Sequence, residues 1–516
     1  MNESHTRHQK YINFLMIRLH GPDTFIAARP ETRLSDLPDR LTGVSSKYQD
    51  WRIGFCGCAV RRTFGKPPGR ARIAHLPALA ESRTTDRPGT RIIADSLYAA
   101  RAAFEASDAP PGSRQLRPQA VGSGDTCVGD ARSPIRIALV RQRYRPDGGG
   151  ERILDHAISA LAAEGTEITL ISRNWRPTDG SKPPQVDHLK CDPWWITRIG
   201  REESFARAAM KAVVRRRPDL IQTHERIPGC DIYRAGDGLH CSWLAERRKT
   251  SGAFGRLWLS LSPFHRYRLK TERRLFLHPA LRAVICNSEM VRNEILSEFH
   301  LPPEKLHVIY NGVDPARFHP GLRAHRGRIR GQLAIPDTVP MLAFVGSGFD
   351  RKGLKPALHA LSECHHAHLA VVGRDKDEAR FVRLATRLGL RGRVHFVGVQ
   401  EDVGSWYGAS DGLLLPTLYD PFPNVVLEAM SCGLGVITSD RCGGAELLRE
   451  GIEGFVCDTQ DFAGITRAIR TLERPDNSKR IGAAAARRVA PYSIEAMTAQ
   501  LLSLYRTLLD RPVIAP

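Results

Sequence analysis

The feature that most constrains the fold is a pattern of short apolar segments alternating with helical segments. The pattern begins sharply at residues 135–140, which read as a buried strand, and residues 151–164 then have helical spacing. A second series of the same kind opens at residues 341–346. Because strands alternating with helices form parallel sheets covered by helices, the sequence predicts an α/β protein with two Rossmann-like domains.

The length of 516 residues exceeds one ordinary core, so two domains with additional segments are expected. A last helical pattern at 493–509 is long enough to cross back and brace the first domain. The predicted organisation is a basic extension at 1–132, an N-terminal domain at 133–320, a linker at 321–336, a C-terminal domain at 337–492 and a crossover helix at 493–516.

Residues 1–132 are rich in Arg, Pro, Gly and Ser and have little periodicity apart from a helical pattern at 92–106. Such a composition is typical of a disordered basic extension. Two other interpretations stay open, namely a wrongly assigned start, with the working protein beginning near Ser133, and a segment that binds nucleic acid.

The net charge of +21, from 76 Lys and Arg against 55 Asp and Glu, favours phosphorylated substrates or an anionic membrane surface. No nucleic-acid motif is present, so no nucleic acid is expected as a partner. The sequence contains no apolar run of spanning length and no signal-peptide pattern. Its odd number of cysteines, 11, is typical of buried thiols in a reducing cytosol. We therefore expect a cytoplasmic protein that is soluble or peripheral to the membrane.

Two groups of residues in the sequence are potential metal ligands. Cys56 and Cys58 are too close together and too isolated for a metal site. The tract Cys364, His365, His366 and His368 is open to two interpretations, a metal site or an exposed polar linker. We predict no metal site.

The richest stretch for function is residues 419–435, in which an apolar strand leads through a loop into a helix. Asp420 lies in the loop, and Asn424 opens the helical pattern that contains Glu428. The backbone amides near Asn424 and Val425 have no partners within the helix and favour a negatively charged ligand. Asp420 can accept hydrogen bonds from sugar hydroxyls, and Glu428 from a ribose diol. Capping and solvation are the ordinary roles for such acids.

A second polar loop, residues 347–353, follows the strand that opens the C-terminal domain. Arg351 and Lys352 combine a forked donor with a point charge, which suits a diphosphate, although solvated loop cations are the simpler interpretation. Arg374 follows the next strand. Val397 ends the strand after that and offers a flat backbone edge for a base, so both residues are assigned to the donor site.

The N-terminal domain offers fewer candidates. Gly149 and Gly150 belong to a run of three glycines that lets a ligand approach a helix start, although a tight turn explains it equally well. The spaced dinucleotide fingerprint is absent, which argues against a dehydrogenase. In the polar loop at 234–240, Asp237 is the first candidate for an acceptor-side residue and His240 the second. Both could equally cap or solvate the loop.

Residues 253–276 alternate apolar and aromatic with basic residues and are split or kinked by Pro263. A helix with these two faces can lie in a membrane interface. A core helix with a solvated basic face is the alternative. The basic residues assigned to an acceptor or membrane surface are Arg266, Arg268, Lys270 and Arg273.

The order of these pieces resembles the retaining GT-B glycosyltransferases of family 4, group 1 type, over residues 135–512. The resemblance is carried by residues 345–353, which match a donor diphosphate loop, and by residues 420–428, which match an acid pair with Asp420 where the family usually has Glu. A closer likeness, to the lipopolysaccharide core glucosyltransferases I, rests on residues 228–237, 264–276 and 346–353. It implies two domains facing across a cleft, and a heptose as the acceptor.

Carried over to this sequence, the resemblance implies that Arg351 and Lys352 hold the UDP diphosphate and Glu428 the ribose. Asp420 and the amides near it would hold the transferred sugar, with Asp237 near the acceptor hydroxyl. Gly149 and Gly150 would face the diphosphate across the cleft.

The function implied is metal-independent transfer of a hexose, most simply glucose, from UDP-sugar to a lipid-linked core oligosaccharide on the cytoplasmic face of the inner membrane. No cofactor beyond the donor is expected. A GT-B enzyme for another glycan or donor, and a nucleotide-sugar-binding protein without catalysis, are the alternatives.

Overall fold

The computed structural model describes Leu15–Arg18, Phe25–Ala28 and residues 134–142, 149–175 and 186–510. The chain divides into residues 1–124 and 125–516. In the first part, β1 (Leu15–Arg18) and β2 (Phe25–Ala28) form an antiparallel pair. The rest of the extension predicted at 1–132, with the helix at 92–106 and the Cys56 and Cys58 pair, lies outside the described residues.

The other strands that the structure describes belong to residues 125–516. They are β3 (Arg136–Val140), β4 (Glu167–Ser172), β5 (Val186–Lys190), β6 (Leu220–Thr223), β7 (Ile232–Arg234), β8 (Ala283–Cys286), β9 (Leu306–Val308), β10 (Met341–Val345), β11 (His368–Val372), β12 (Val394–Gly398), β13 (Gly412–Leu415), β14 (Gly435–Ser439) and β15 (Gly454–Cys457).

The helices of the same part are α1 (Gly149–Ala163), α2 (Arg198–Arg216), α3 (His240–Lys249), α4 (Ala253–Leu261), α5 (Pro263–Phe276), α6 (Glu289–Phe299), α7 (Arg326–Gln332), α8 (Phe349–Lys352), α9 (Leu354–Ser362), α10 (Glu378–Arg387), α11 (Val403–Ala409), α12 (Asn424–Ser431), α13 (Phe462–Leu472), α14 (Pro475–Val489) and α15 (Ile494–Asp510). Short 3₁₀ turns occupy Pro303–Lys305, Pro320–His325 and Gly443–Leu447.

The strands form two parallel sheets, one in each half of residues 125–516. The first has the order β5-β4-β3-β6-β7-β8-β9, and the second has the order β12-β11-β10-β13-β14-β15. In each sheet the chain steps outward from its first strand, returns and then continues on the other side, as in a doubly wound Rossmann fold. This arrangement confirms the predicted α/β class with two Rossmann-like halves.

The composition of the central strands explains why they lie inside. Every residue of Ala283–Cys286 and of Met341–Val345 is buried, as expected for strands covered by helices on both faces. The last helix, α15, joins the core of the first half through Met497, Leu501 and Tyr505. Tyr505 Oη donates to Gln222 Oε1 at 2.8 Å inside that core. The predicted crossing of the C-terminal helix back to the first half is therefore confirmed.

Three local features refine the sequence predictions. Strands β5 and β7 were not predicted, because they are short and carry polar residues. Pro263 splits residues 253–276 into two helices, with Ser262 capping the second one. The tract at 364–368 is a bend that ends at His368, the first residue of β11, and its Cys364 is buried, so it is not simply an exposed linker. Within the described residues, no helix is long and apolar enough to cross a membrane.

Candidate active site

A cavity of about 420 Å³ lies between the two halves. Its walls come from residues that follow β3, β6, β7 and β8 of the first sheet, and from residues that follow β10 to β13 of the second. Both sheets thus point their carboxyl ends at one cleft, which is where open α/β sheets bind ligands. The cleft is the candidate active site.

The loop after β10 presents two cations to the cleft. Helix α8 is a single turn between Gly348 and Gly353, which both have positive φ. Phe349 anchors this turn in the core, and its backbone N–H donates to Asp375 Oδ2 at 2.7 Å. A Cβ on Gly353 would lie 1.8 Å from the carbonyl oxygen of Pro416, so the loop is pressed against the end of β13.

This packing brings Arg351 and Lys352 together on one carboxylate. Arg351 Nη1 and Lys352 Nζ each donate to Asp420 Oδ2 at 2.7 Å. Burial acts to raise the pKa of Asp420, but the charges of Lys352 and Arg351 outweigh it and lower that pKa below its ordinary value. Asp420 is therefore an ionised carboxylate in a buried, positively charged setting.

Helix α12 begins beside this group, and Asn424, Val425 and Glu428 all line the cleft. Asn311 Nδ2, from the turn that leaves the first half, donates to Asn424 Oδ1 at 2.7 Å. Tyr407 Oη donates to Glu428 Oε2 at 2.9 Å and orients the carboxylate. The helix start thus combines free amides with a fixed acceptor, which suits a nucleotide.

The opposite wall contains Asp237 together with residues that the sequence analysis missed, namely Arg141, His224, Arg234, Asn287 and Asn311. Arg234 is 7% exposed and donates to Asn311 Oδ1 at 2.9 Å and to Met497 Sδ at 3.6 Å. Burial lowers the pKa of Arg234. Burial, with the charges of Arg141 and Arg234, holds the pKa of His224 well below its usual range, so this imidazole is neutral.

Tyr419 joins the two walls next to both candidate acids. Its Oη donates to Glu294 Oε2 at 2.7 Å and accepts from the backbone N–H of Leu239 at 3.1 Å. Gly238 has a φ of 64°, and a Cβ there would lie 2.4 Å from Tyr419 Oη. The loop that holds Asp237 therefore packs directly against the loop that holds Asp420.

The other predicted donor residues lie close in the chain to residues that line the cleft. Helix α1 begins at Gly149, and its next turns line the cleft through Leu154 and Ile158. Arg374 is exposed and follows Gly373, which lines the cleft. Val397 is the extra residue of a β-bulge, because Val371 pairs with Phe396 and Val372 with Gly398.

Beyond Val397, for which an edge for a base stays a prediction, two further residues line the cleft. Val399 and Gln400 line the cleft, and Gln400 Nε2 donates to the carbonyl oxygen of Val397 at 2.6 Å. The bulge therefore moves the lining position past the end of β12.

The predicted acceptor and membrane residues lie away from the cleft lining. His240 opens α3, where its ring lies 3.2 Å from His265 and stacks on Trp243. Arg266, Lys270 and Arg273 are exposed on α5, whereas Arg268 pairs with Glu202 at 2.5 Å. Among the described residues, no group of three or more His, Cys, Asp or Glu side chains is arranged to hold a metal ion.

Comparison with known proteins agrees with this geometry. Residues 147–317 match the model of Glycosyltransferase Family 4, and residues 325–488 match the model of Glycosyl transferases group 1. Together the two matches span more than half of the chain and cover both halves of the cleft. The chain therefore belongs to the GT-B glycosyltransferases of this type.

Among individual relatives, the chain is 26% identical over 326 residues to lipopolysaccharide glucosyltransferase WaaG of Escherichia coli K12, covering 62% of this chain and 84% of that one. It is 25% identical over 348 residues to the lipopolysaccharide core biosynthesis glycosyltransferase LpsE of Rhizobium meliloti, covering 65% and 88%.

Two solved structures share the fold. The crystal structure of WaaG has a TM-score of 0.62 at 23% identity and covers 72% of this chain and 99% of that one. Anabaena HepE in complex with UDP-glucose has a TM-score of 0.54 at 19% identity and covers 72% and 100%.

Proposed function

We propose that this glycosyltransferase moves a hexose, glucose first among the candidates, from UDP-sugar to a heptose of the lipopolysaccharide core, with retention of configuration. The proposal rests on one observation. Arg351 and Lys352 both donate hydrogen bonds to Asp420, in the cleft close to the N-terminus of α12. No metal or cofactor beyond the donor is part of the proposal.

In this proposal the donor lies along the C-terminal wall of the cleft. The diphosphate takes Arg351 and Lys352 as partners, whose charge stabilises the leaving group as the glycosidic bond breaks. The ribose diol donates to Glu428, whose carboxylate Tyr407 holds in place. Asp420 Oδ1 then accepts from hydroxyls of the transferred sugar, while Asp237 receives the acceptor from the opposite wall.

The acceptor class is supported by the two relatives, since WaaG and LpsE are both named for lipopolysaccharide synthesis. A GT-B enzyme for another glycan or another donor is the alternative. The two readings differ in which donor and acceptor the cleft turns over.

The surface of α4 supports the proposal of a lipid-linked acceptor on the cytoplasmic membrane face. Its apolar side chains Phe254, Leu257, Trp258 and Leu261 are all exposed, Phe254 at 90% and Trp258 at 77%. Their spacing places them on one side of the helix, and exposed Arg266, Lys270 and Arg273 follow on α5. We name these seven side chains the apolar-basic surface. An apolar stripe beside basic residues suits an anionic bilayer.

The test is a donor panel. UDP-glucose, UDP-galactose and GDP-mannose are compared for binding and for hydrolysis without acceptor, using the full chain and Glu428→Ala. We expect UDP-glucose to be bound and hydrolysed, and both signals to fall in Glu428→Ala. A preference for GDP-mannose would contradict the proposed donor.

A further inference from the structure

A second cavity, of about 390 Å³, lies in the N-terminal half. This volume falls within the roughly 300–1,000 Å³ of small-ligand pockets. Arg141 and His224 line the cleft, whereas the next residues along the chain, Gln142 and Glu225, line the second cavity. The two cavities are therefore neighbours, on either side of the ends of β3 and β6.

Arg226 connects the second cavity to the cleft. It lines the cavity, and its Nε donates to Glu272 Oε1 at 2.9 Å. Its Nη2 donates to the carbonyl oxygen of Gly238 at 2.8 Å, one residue from Asp237. A group bound against Arg226 would thus be one side chain away from the candidate acceptor residue.

The walls of the second cavity mix hydrogen-bond donors and acceptors. Arg207 Nη2 lies 3.0 Å from Glu203 Oε2, and Arg268 Nη2 lies 2.5 Å from Glu202 Oε1. Tyr267 adds an aromatic ring to the same walls.

This mixture selects a class of ligand. An anion would meet the carboxylates, and an apolar molecule would bury the charged groups without new partners. A sugar has hydroxyls that both donate and accept, and apolar ring faces that an aromatic side chain can cover. The walls therefore suit a sugar residue.

Helix α5 contributes side chains both to the second cavity and to the apolar-basic surface. Tyr267, Thr271 and Arg274 line the cavity. Arg266 and Lys270, on the same helix, are exposed and belong to the surface that we place against the bilayer. Among the described residues, α4 and α5 contribute nothing to the lining of the cleft, so a glycan that rises from the bilayer would meet the second cavity first.

We propose that the second cavity is a subsite for a sugar residue of the acceptor glycan on the lipid side of the residue that accepts the transferred sugar. This inference rests on the proposed transfer to a lipid-linked glycan and adds to it a second point of recognition. The accepting residue itself lies in the cleft near Asp237.

Calorimetry with two lipid-free glycans tests the subsite. One is a heptose methyl glycoside, and the other is a core oligosaccharide in which the same heptose is extended on its lipid side. We expect the wild-type protein to bind the longer glycan at least about tenfold more tightly. Tyr267→Ala and Arg207→Ala should each erase this difference, and Arg215→Ala, an exposed position on the same helix as Arg207, should retain it.

The Arg207 side chain is 76% exposed, so its removal does not open a hole in the core. Binding of UDP by each variant reports an intact cleft. The subsite is refuted if the wild-type protein binds both glycans equally, if it fails to bind the longer one, or if both variants retain the difference. These binding measurements need no turnover, so they test the subsite independently of sugar transfer. A failure of sugar transfer would be a separate result that contradicts the proposed function.

Discussion

Lys352 Nζ lies 2.7 Å from Asp420 Oδ2, and each of these side chains is less than one-tenth exposed. Arg351 shares the same oxygen from the more exposed side of the cleft. A buried carboxylate stays ionised only when opposite charges compensate for the lost hydration. The pair therefore fixes the charge of Asp420 before any donor enters.

Replacing Lys352 should impair catalysis and change its pH dependence. In Lys352→Gln we expect the rate of sugar transfer to fall at least about 100-fold, because the leaving diphosphate loses a cation. Loss of the same charge should raise the pKa of Asp420, so the acid limb of the rate profile moves to higher pH. Steady-state kinetics from pH 4 to 8 would show both effects.

Lys355→Gln is the matched control, since Lys355 is exposed on the next helix. If Lys352→Gln kept the wild-type acid limb and rate, the assigned role of the buried pair would be wrong.

Tyr419→Phe should loosen the contact between the two halves. The substitution removes the bonds to the half-buried carboxylate of Glu294 and to the backbone N–H of the buried Leu239. We expect the free energy of unfolding to fall by roughly 1–3 kcal/mol. The rate of transfer should fall as well, because the loops of Asp237 and Asp420 lose their common contact.

Ser478→Ala provides the comparison for Tyr419→Phe. It removes a buried hydrogen bond to the carbonyl oxygen of Asp411 wholly within the C-terminal half. It should cost stability without slowing transfer. Equal slowing in both variants would show that general destabilisation, and not the contact between halves, sets the rate.

The lowered pKa of His240 predicts that the folded protein loses stability on acidification. Burial, together with Arg226, Arg268 and His265, lowers the pKa of His240 from 6.5 to about 3. Between these values the unfolded chain binds a proton that the folded chain does not. The free energy of unfolding therefore falls as the pH drops from 6.5 towards 3.

Urea unfolding at pH 7, 6, 5 and 4 measures this slope. His240→Gln should flatten it by up to about 1 kcal/mol per pH unit, whereas the exposed His366→Gln should leave it unchanged. An identical slope in wild type and His240→Gln would refute the assignment.

The apolar-basic surface can be tested with lipid vesicles. Trp258→Asp places a charge in the exposed apolar stripe, so we expect binding to vesicles containing phosphatidylglycerol to weaken at least about tenfold. Added salt should also weaken vesicle binding by the wild-type protein, because the basic residues contribute electrostatic attraction to the anionic lipid. Cosedimentation measures both.

Val382→Asp, at an exposed apolar residue of the C-terminal half, is the control for Trp258→Asp. Equal vesicle binding by Trp258→Asp and the wild-type protein would show that α4 does not contact the membrane.

The sequence was sufficient to predict the fold and the C-terminal wall, for a physical reason. Arg351, Lys352, Asp420 and Glu428 lie in or just beyond loops that follow the wholly apolar strands β10 and β13, and parallel strands bring their carboxyl ends to one edge. These residues are therefore close together in any chain that folds this way.

The opposite wall was less accessible to prediction. Arg141 and Asn287 are single polar residues that follow β3 and β8, and Arg234 is the last residue of β7. No motif marks any of them, and the contacts that hold Arg234 at the cleft, to Asn311 and to Met497 of α15, come from distant parts of the chain. The bulge after Phe396 likewise shifts the lining position from Val397 to Val399 and Gln400, because one extra residue changes which side chain faces inward.

Transfer of radiolabelled glucose from UDP-glucose to heptose-terminated lipopolysaccharide measures the proposed activity itself. We expect incorporation by the full chain, loss of incorporation in Glu428→Ala and retention in the exposed control Lys355→Gln. A folded protein that binds UDP yet incorporates no glucose, or a Glu428→Ala variant as active as the wild type, would contradict the proposed function.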